Sequence, residues 1–553
     1  MSTGVFRLYD SDLPVPVSFV FNNLFRPLNA FTRRAFDSGI FDIEVHRRGA
    51  IQPKRRYHTC GGYNFRSKLA IHRLSGHTMS TAVFRIFHDK IGVARYHQRQ
   101  RRMAQHPGFR SHLRLVRSYL CANPPGEHWS HLNERESSKV HPKKALRVRA
   151  MAEIQATGCV SSVTNAYGVG RSEGVVRGNY KYEVTKTSVV DGVNTAKICR
   201  VTVDCDTKRS LFCGWLMEML KEGMANVPAV IGGVPVRFIK TPDPMVLGEM
   251  YTSHYHDSGV AIHSDDGIYH LHCIDGVLTA EVDIESCDSS NSIHTARLMR
   301  EVAPEEYREL IDALISHGQQ EIQIGYGKKK IRAVPKEFFE YSGALFTTAI
   351  NTLAMLMCAF HILSGYSRSM TMEQVKQLFR ERVATAPYSL SVSFPKSFWG
   401  GMFLKTYPCR THSGDIVAIL AQGVILRASG RTNGDFPGTG ELQPRVDKYM
   451  REWVMGLKHA GNSSLLRAYQ TKFPPRRGDQ ALKETGAISR FQLGTNSLEE
   501  LDESCIAQCY DMTPQEWEEL VSLLTTCAFG QSIACTASAK ILKKDYNLQV
   551  PGF

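Results

Sequence analysis

Alternation of apolar and polar positions is clearest between Gly259 and Cys273, where two short apolar runs flank Asp265 and Asp266. That pattern predicts a β-hairpin with both acids at a tight turn and Gly267 closing it. A further strand is expected from Leu278 to Asp283, followed by a turn that carries Asp288. Downstream, Ser342-Gly343 predicts a turn opening a helix, and Ala344 to Leu363 is the most apolar stretch of the chain. Its length approaches a membrane span. However, it contains Thr347, Thr348, Asn351, Thr352 and His361, which suit a buried helix better, so no transmembrane segment is expected. Helical spacing over Met372–Arg382 gives way to strand-like alternation over Tyr388–Phe394, which ends at Pro395-Lys396. Gly401–Pro408 reads as another hairpin. Nearer the C-terminus, Ser497–Glu500 and Thr513–Glu516 have the form of capping boxes, the second with Pro514 at the first helical position. Gly430–Asp435 and Phe473–Gly478 are turn-rich loops.

Charge changes this picture more than overall composition does. At 553 residues the chain exceeds one ordinary domain, and a net charge of +15 favours a polyanionic partner. The excess is uneven: residues 1–150 hold 27 Lys and Arg against 9 Asp and Glu, leaving 41 against 44 in the remainder. Arg99, Arg101, Arg102, Arg114, Arg117, Lys143 and Lys144 would suit an RNA backbone, although a solubilising or lipid-facing arm has the same composition. The 14 cysteines include no Cys-x2-Cys pair, so reduced thiols are expected, with Cys505 and Cys509 packed in a helical core. No secretory signal is evident. The Arg-rich first 60 residues carry Asp10, Asp12, Asp37, Asp42 and Glu44, which argue against a mitochondrial presequence.

The candidate chemistry lies in three segments. Ser342, Gly343, Thr347 and Asn351 fit Ser-Gly-x3-Thr-x3-Asn, a pattern that chance supplies in roughly one chain of this length per hundred. Thr347 and Asn351, four apart, would share one helix face and offer a hydroxyl and an amide to ribose hydroxyls. Asp283 and Asp288 stand five apart, a weak signal alone. Asp265-Asp266 at a hairpin tip is more often a solvated turn. Together, however, carboxylates at neighbouring strand ends are what two hard divalent ions need in nucleotidyl transfer.

These segments resemble the palm of viral RNA-dependent RNA polymerases. Ser342–Asn351 is similar to motif B, Asp283 with Asp288 to motif A, and Asp265-Asp266 to motif C. Most such enzymes run A, B, C. Here the order is C–A–B, which resembles the permuted palm of permutotetraviruses and birnaviruses. His263-Ser264 stands where many relatives have Gly. Standard order would instead place motif C at Asp415 or Asp435, each offering one aspartate.

The resemblance implies an α+β right-hand fold. Residues 1–150 would form a basic N-terminal extension and fingers, 151–250 fingers with motif F, 251–410 the palm, and 411–553 a helical thumb. Asp265, Asp266 and Asp283 would hold two Mg2+ or Mn2+ ions. Asp288, Ser342, Gly343, Thr347 and Asn351 would select ribonucleotides. Lys181, Lys197 and Arg200, in a segment similar to motif F, would hold the triphosphate. Lys396, after a motif D-like strand, would donate a proton to pyrophosphate. Phe403 and Lys405, in a hairpin similar to motif E, would grip the primer. The implied partners are template and product RNA, ribonucleoside triphosphates and viral or host replication proteins, within the host cytoplasm. Two other readings stay open: another palm nucleotidyltransferase such as a reverse transcriptase, which Asn351 disfavours, and a non-catalytic RNA-binding subunit or one part of a split polymerase.

Overall fold

The computed structural model describes residues 95–124 and 207–548, apart from short internal stretches, together with a set of strands between residues 33 and 204. It is a mixed α/β structure with two six-stranded sheets. In chain order the elements used below are β1 (Arg33–Asp37), β2 (Phe41–His46), α1 (Pro107–Ala122), β3 (Val176–Tyr180), β4 (Val201–Asp204) and α2 (Thr207–Asn226). There follow β5 (Ala229–Ile231), β6 (Val234–Phe238), α3 (Pro244–His256), β7 (Gly259–His263), β8 (Asp266–Cys273) and β9 (Gly276–Ile284). Next come β10 (Ile322–Tyr326), β11 (Lys329–Pro335), α4 (Thr347–Leu363), α5 (Met372–Thr385), β12 (Leu390–Ser393), β13 (Thr406–Arg410) and β14 (Ile416–Leu420).

The central sheet runs β5-β6-β7-β8-β9-β12, antiparallel except for the β6/β7 pair. Because side chains alternate across a strand, its two faces feed two cores. Val260, Ile262, Tyr269, Leu271, Leu278, Ala280, Val282 and Ile284 pack with α1, α2 and α4. Ala261 and Ile268 face the opposite way, into a core built with Phe398, Trp399, Tyr407 and the C-terminal helices. Helix α4 is apolar around nearly its whole circumference, and 14 of its 17 residues are buried, the state such a helix requires. No helix among the described residues is long and apolar enough to cross a membrane.

The second sheet, β1-β2-β11-β10-β3-β4, joins strands from three distant parts of the chain. It therefore crosses the expected boundaries at 150 and 250. Helix α3 likewise packs on β14, across the expected boundary at 410. In the C-terminal core, the buried Asp545 accepts hydrogen bonds from the hydroxyls of Tyr407 at 2.6 Å and Tyr510 at 2.9 Å and from Gly423 N–H at 2.7 Å.

Local predictions meet mixed outcomes. The capping box at Thr513 and Glu516 starts a helix as expected. The one at Ser497 does not: Glu500 bridges Asn462, its carbonyl accepts from His412 N–H, and the helix starts at Glu503 under Asp502. Tertiary backbone pairing has overridden the local signal. Cys505 and Cys509 are buried free thiols, as predicted.

Candidate active site

The β7–β8 hairpin turns through Ser264 and Asp265, with His263 opposite Asp266. Gly267 is therefore already in the strand, and the left-handed position expected of a glycine falls on Ser264, at φ +56°. Two residues of α4 hold Ser264 there. Its N–H donates to the Thr352 hydroxyl at 3.1 Å, and the Asn351 amide approaches its hydroxyl at 3.5 Å. Gly267 serves a different need, because a Cβ there would lie 3.3 Å from the Met355 sulfur of α4.

Next to the hairpin lies β9, in a register that sets Asp266 opposite Asp283. Alternation puts both carboxylates on one face, and Ile284 N–H donates to the Asp265 carbonyl at 3.1 Å. Like charges directly opposite on a sheet are destabilising. Asp266 exerts an attraction on two cations of the C-terminal half, Arg490 and Lys405; in both, burial is the larger influence and pulls the pKa down. Arg490 also donates to the Leu404 carbonyl at 2.9 Å. Nothing in the local sequence marked Arg490.

Beyond Asp283 the chain makes a single turn, Cys287–Ser290, carrying Asp288. Asn351 donates from Nδ2 to Asp288 Oδ1 at 2.7 Å, and its Oδ1 accepts from Asn291 Nδ2 at 2.8 Å. Asn291 also donates to Glu340 Oε2 at 2.6 Å. Glu340 is buried, and the loss of solvation, together with the negative charges of Asp288 and Asp265, holds its carboxyl well above the usual range. One turn of α4 thus ties together the Asp265–Asp266 hairpin and the Asp288 turn.

The remaining predicted residues are placed less uniformly. Ser342 and Gly343 form a turn as expected, with Gly343 at φ +86°, but the helix starts four residues later, at Thr347. The Thr347 hydroxyl donates back to the Tyr341 carbonyl at 3.2 Å instead of joining Asn351. Lys396 is not brought to the carboxylates. In the β12–β9 register Leu390 pairs with Ile284 and Ser393 with Glu281, so the chain runs away from Asp283 before reaching Lys396, whose amine meets Asp511 at 2.9 Å. Phe403 is buried, and the Lys405 amine sits 2.8 Å from the Asp545 carbonyl, over the Tyr546 ring. Both fasten the turn to the C-terminal helices. Lys181, Lys197, Arg200, Lys143, Lys144 and Asp435 lie outside the described residues. Arg99 caps carbonyls of Ala384 and Ala386 at 3.1 Å each, whereas Arg101, Arg102 and Arg114 are exposed. Asp415 lies in the turn between β13 and β14, a separate two-stranded sheet that does not pair with β9.

No group of three His, Cys, Asp or Glu among the described residues forms a ready metal cage. That does not count against Mg2+, which keeps several waters and is held by one or two carboxylates plus substrate phosphates. The facing pair Asp266 and Asp283, with Asp265 beside them, fits that mode of binding.

No protein-family model matches the chain, and no curated protein matches it in sequence. Among the solved structures similar to it are two viral ones. One is the birnavirus VP1–VP3 complex, with a TM-score of 0.35 and 10% identity over 90% of this chain and 59% of that one. The other is the RNA polymerase VP1 from Infectious Pancreatic Necrosis Virus, with a TM-score of 0.35 and 10% identity over 85% of this chain and 56% of that one. The chain therefore spans less than two thirds of the length of either. Both likenesses are loose, and the functional reading below rests on this chain's own strand register and side-chain contacts.

Proposed function

We propose that the chain is an RNA-dependent RNA polymerase whose palm motifs run C–A–B. The observation that carries this reading is the pairing of the Asp265–Asp266 hairpin with the Asp283 strand, with Asn351 bonded to Asp288 beside it. The rival hairpin at Asp415 belongs to a different sheet. In this reading the central sheet and α4 are the palm, the β1–β4 and β10–β11 sheet belongs to the fingers, and the C-terminal helices form the thumb.

Asp265, Asp266 and Asp283 hold the divalent ions, Mg2+ or Mn2+. Bound there, the ions supply charge neutralisation and activation of the attacking 3′-oxygen. The protein's own contribution is placement. Asp266 and Asp283 are fixed across a strand pair, and Asp265 is fixed by a turn that α4 holds in a left-handed conformation. Asp288 can accept a hydrogen bond from a ribose hydroxyl while Asn351 Nδ2 donates to one, which selects ribonucleotides. Lys181, Lys197 and Arg200 are the proposed triphosphate contacts. We assign no proton transfer to Lys396 and no primer contact to Phe403 or Lys405. RNA is the proposed polyanionic partner of the basic N-terminal region, and the host cytoplasm its compartment.

The test is incorporation of labelled ribonucleotide by the purified chain on single-stranded RNA. Incorporation that requires Mg2+ or Mn2+ and is abolished by a chelator supports the reading. RNA binding without incorporation on primed and unprimed templates overturns it in favour of a non-catalytic subunit.

A further inference from the structure

The Asn351 amide has two ends, and only one of them suits a carboxylate. Its Nδ2 faces Asp288 Oδ1, so its Oδ1 must point the other way, where it meets Asn291 Nδ2. Asn291 is fully buried, and its own orientation is fixed on both sides. Nδ2 gives its other hydrogen to Glu340 Oε2 at 2.6 Å, while Oδ1 accepts the Tyr388 hydroxyl at 2.8 Å. With the Tyr388 hydrogen directed at Asn291, the one hydrogen of Thr295 goes to Tyr388 across the 2.6 Å contact between their hydroxyls and not across the longer 3.4 Å approach to the Gln100 amide oxygen.

The backbone under these groups is clamped from far away in sequence. Gln100, with no solvent exposure, donates to the carbonyls of Ser290 at 2.9 Å and Pro387 at 3.2 Å, next to Asn291 and Tyr388 respectively. Its own carbonyl accepts Ser292 N–H at 3.3 Å. Burying so many polar groups costs stability unless each is satisfied in one arrangement. If Asn291 turned over, its carbonyl would face the Asn351 carbonyl, a clash that a protonated Glu340 does not relieve. Asn351 would then follow, setting an oxygen against the Asp288 carboxylate.

We infer that Asn291, oriented by Glu340 and Tyr388, is a positioning residue that sets which way the Asn351 amide faces and so determines ribose specificity. This rests on the polymerase reading for the identity of the ligand. The orientation itself follows from the hydrogen bonds.

The test measures the affinities of ATP and 2′-deoxy-ATP for the full chain in Mn2+, for wild type, Asn291→Asp and Tyr388→Phe. Asn291→Asp replaces the donor with an oxygen and should turn the Asn351 amide over. The expected result is a loss of about tenfold in the preference for ATP, the size of a hydrogen bond to a charged group. The affinity for 2′-deoxy-ATP should be unchanged, which shows that the site is still folded. Tyr388→Phe should lose about threefold. If Asn291→Asp also loses 2′-deoxy-ATP, the milder Tyr388→Phe decides. Variants that keep the wild-type preference overturn the inference and leave the polymerase reading intact. A wild-type chain that discriminates ribose but incorporates nothing overturns the polymerase reading and leaves the inference standing. If the wild type binds neither nucleotide, both fall.

Discussion

Replacing Asp283 with Asn should stabilise the metal-free protein while removing its response to metal. Cross-strand partners have Cβ atoms about 5 Å apart, and two unit charges roughly 5.5 Å apart repel by about 3 kcal/mol at an effective dielectric near 20. Two features lower that figure here. Asp283 is exposed, so solvent screens it, and Asp266 is drawn toward Arg490 and Lys405. About 0.5–1 kcal/mol of net repulsion remains at low salt, in the range of exposed charge pairs. Asp283→Asn should therefore raise the urea midpoint in EDTA by that equivalent, with the gain shrinking in high salt as screening takes over. Adding Mn2+ at 100-fold over its dissociation constant should stabilise the wild type by about 2.7 kcal/mol and the variant by far less. The reasoning is refuted if the variant is less stable than wild type in EDTA and Mn2+ stabilises the two alike.

Three further outcomes follow from the geometry. Ser264→Gly relieves a left-handed conformation worth about 1 kcal/mol and should keep nucleotide incorporation within about twofold, whereas Ser264→Val should destabilise the hairpin by about 2 kcal/mol in chemical denaturation. Asp545→Ala removes the acceptor of three buried hydrogen bonds and should lower the unfolding free energy by about 3–5 kcal/mol, while Tyr510→Phe costs about 1 kcal/mol. Burial lowers the pKa of His112 to about 4 and of His254 to about 3. Both must stay neutral in the fold, so their contribution is complete above about pH 6.5 and declines as pH falls toward those values. The slope is about 1.4 kcal/mol per pH unit for each imidazole, and His112→Leu should flatten the urea midpoint's pH profile between 6.5 and 4.

What the sequence disclosed follows the range of each interaction. The β7–β8 hairpin, β9, α4, α5 and β12 were legible because apolar alternation and helical spacing are local and the burial is strong. The turn was misplaced by one residue, on Asp265-Asp266 instead of Ser264-Asp265, because Gly267 carries the usual turn signal. In fact Gly267 makes room for Met355, and a serine takes the positive φ under restraint from Thr352. The layer beneath Asn351 left no local trace. Gln100, Asn291, Glu340 and Tyr388 meet across separations of 49 to 287 residues, and no spacing rule reaches that far. The placement of Lys396 and Lys405 was not legible for a related reason: a basic residue after a strand or in a hairpin does not declare its direction. The β12 register and the Asp545 carbonyl settle theirs.

The permuted palm is tested by comparing ribonucleotide incorporation on single-stranded RNA by wild type, Asp265→Asn, Asp283→Asn and Asp415→Asn, with RNA binding measured in parallel. Metal-dependent synthesis should be lost in Asp265→Asn and Asp283→Asn and kept in Asp415→Asn, with RNA binding unchanged in all three. Synthesis that survives Asp265→Asn and disappears in Asp415→Asn would contradict the permuted palm and place the second carboxylate site on the β13–β14 hairpin.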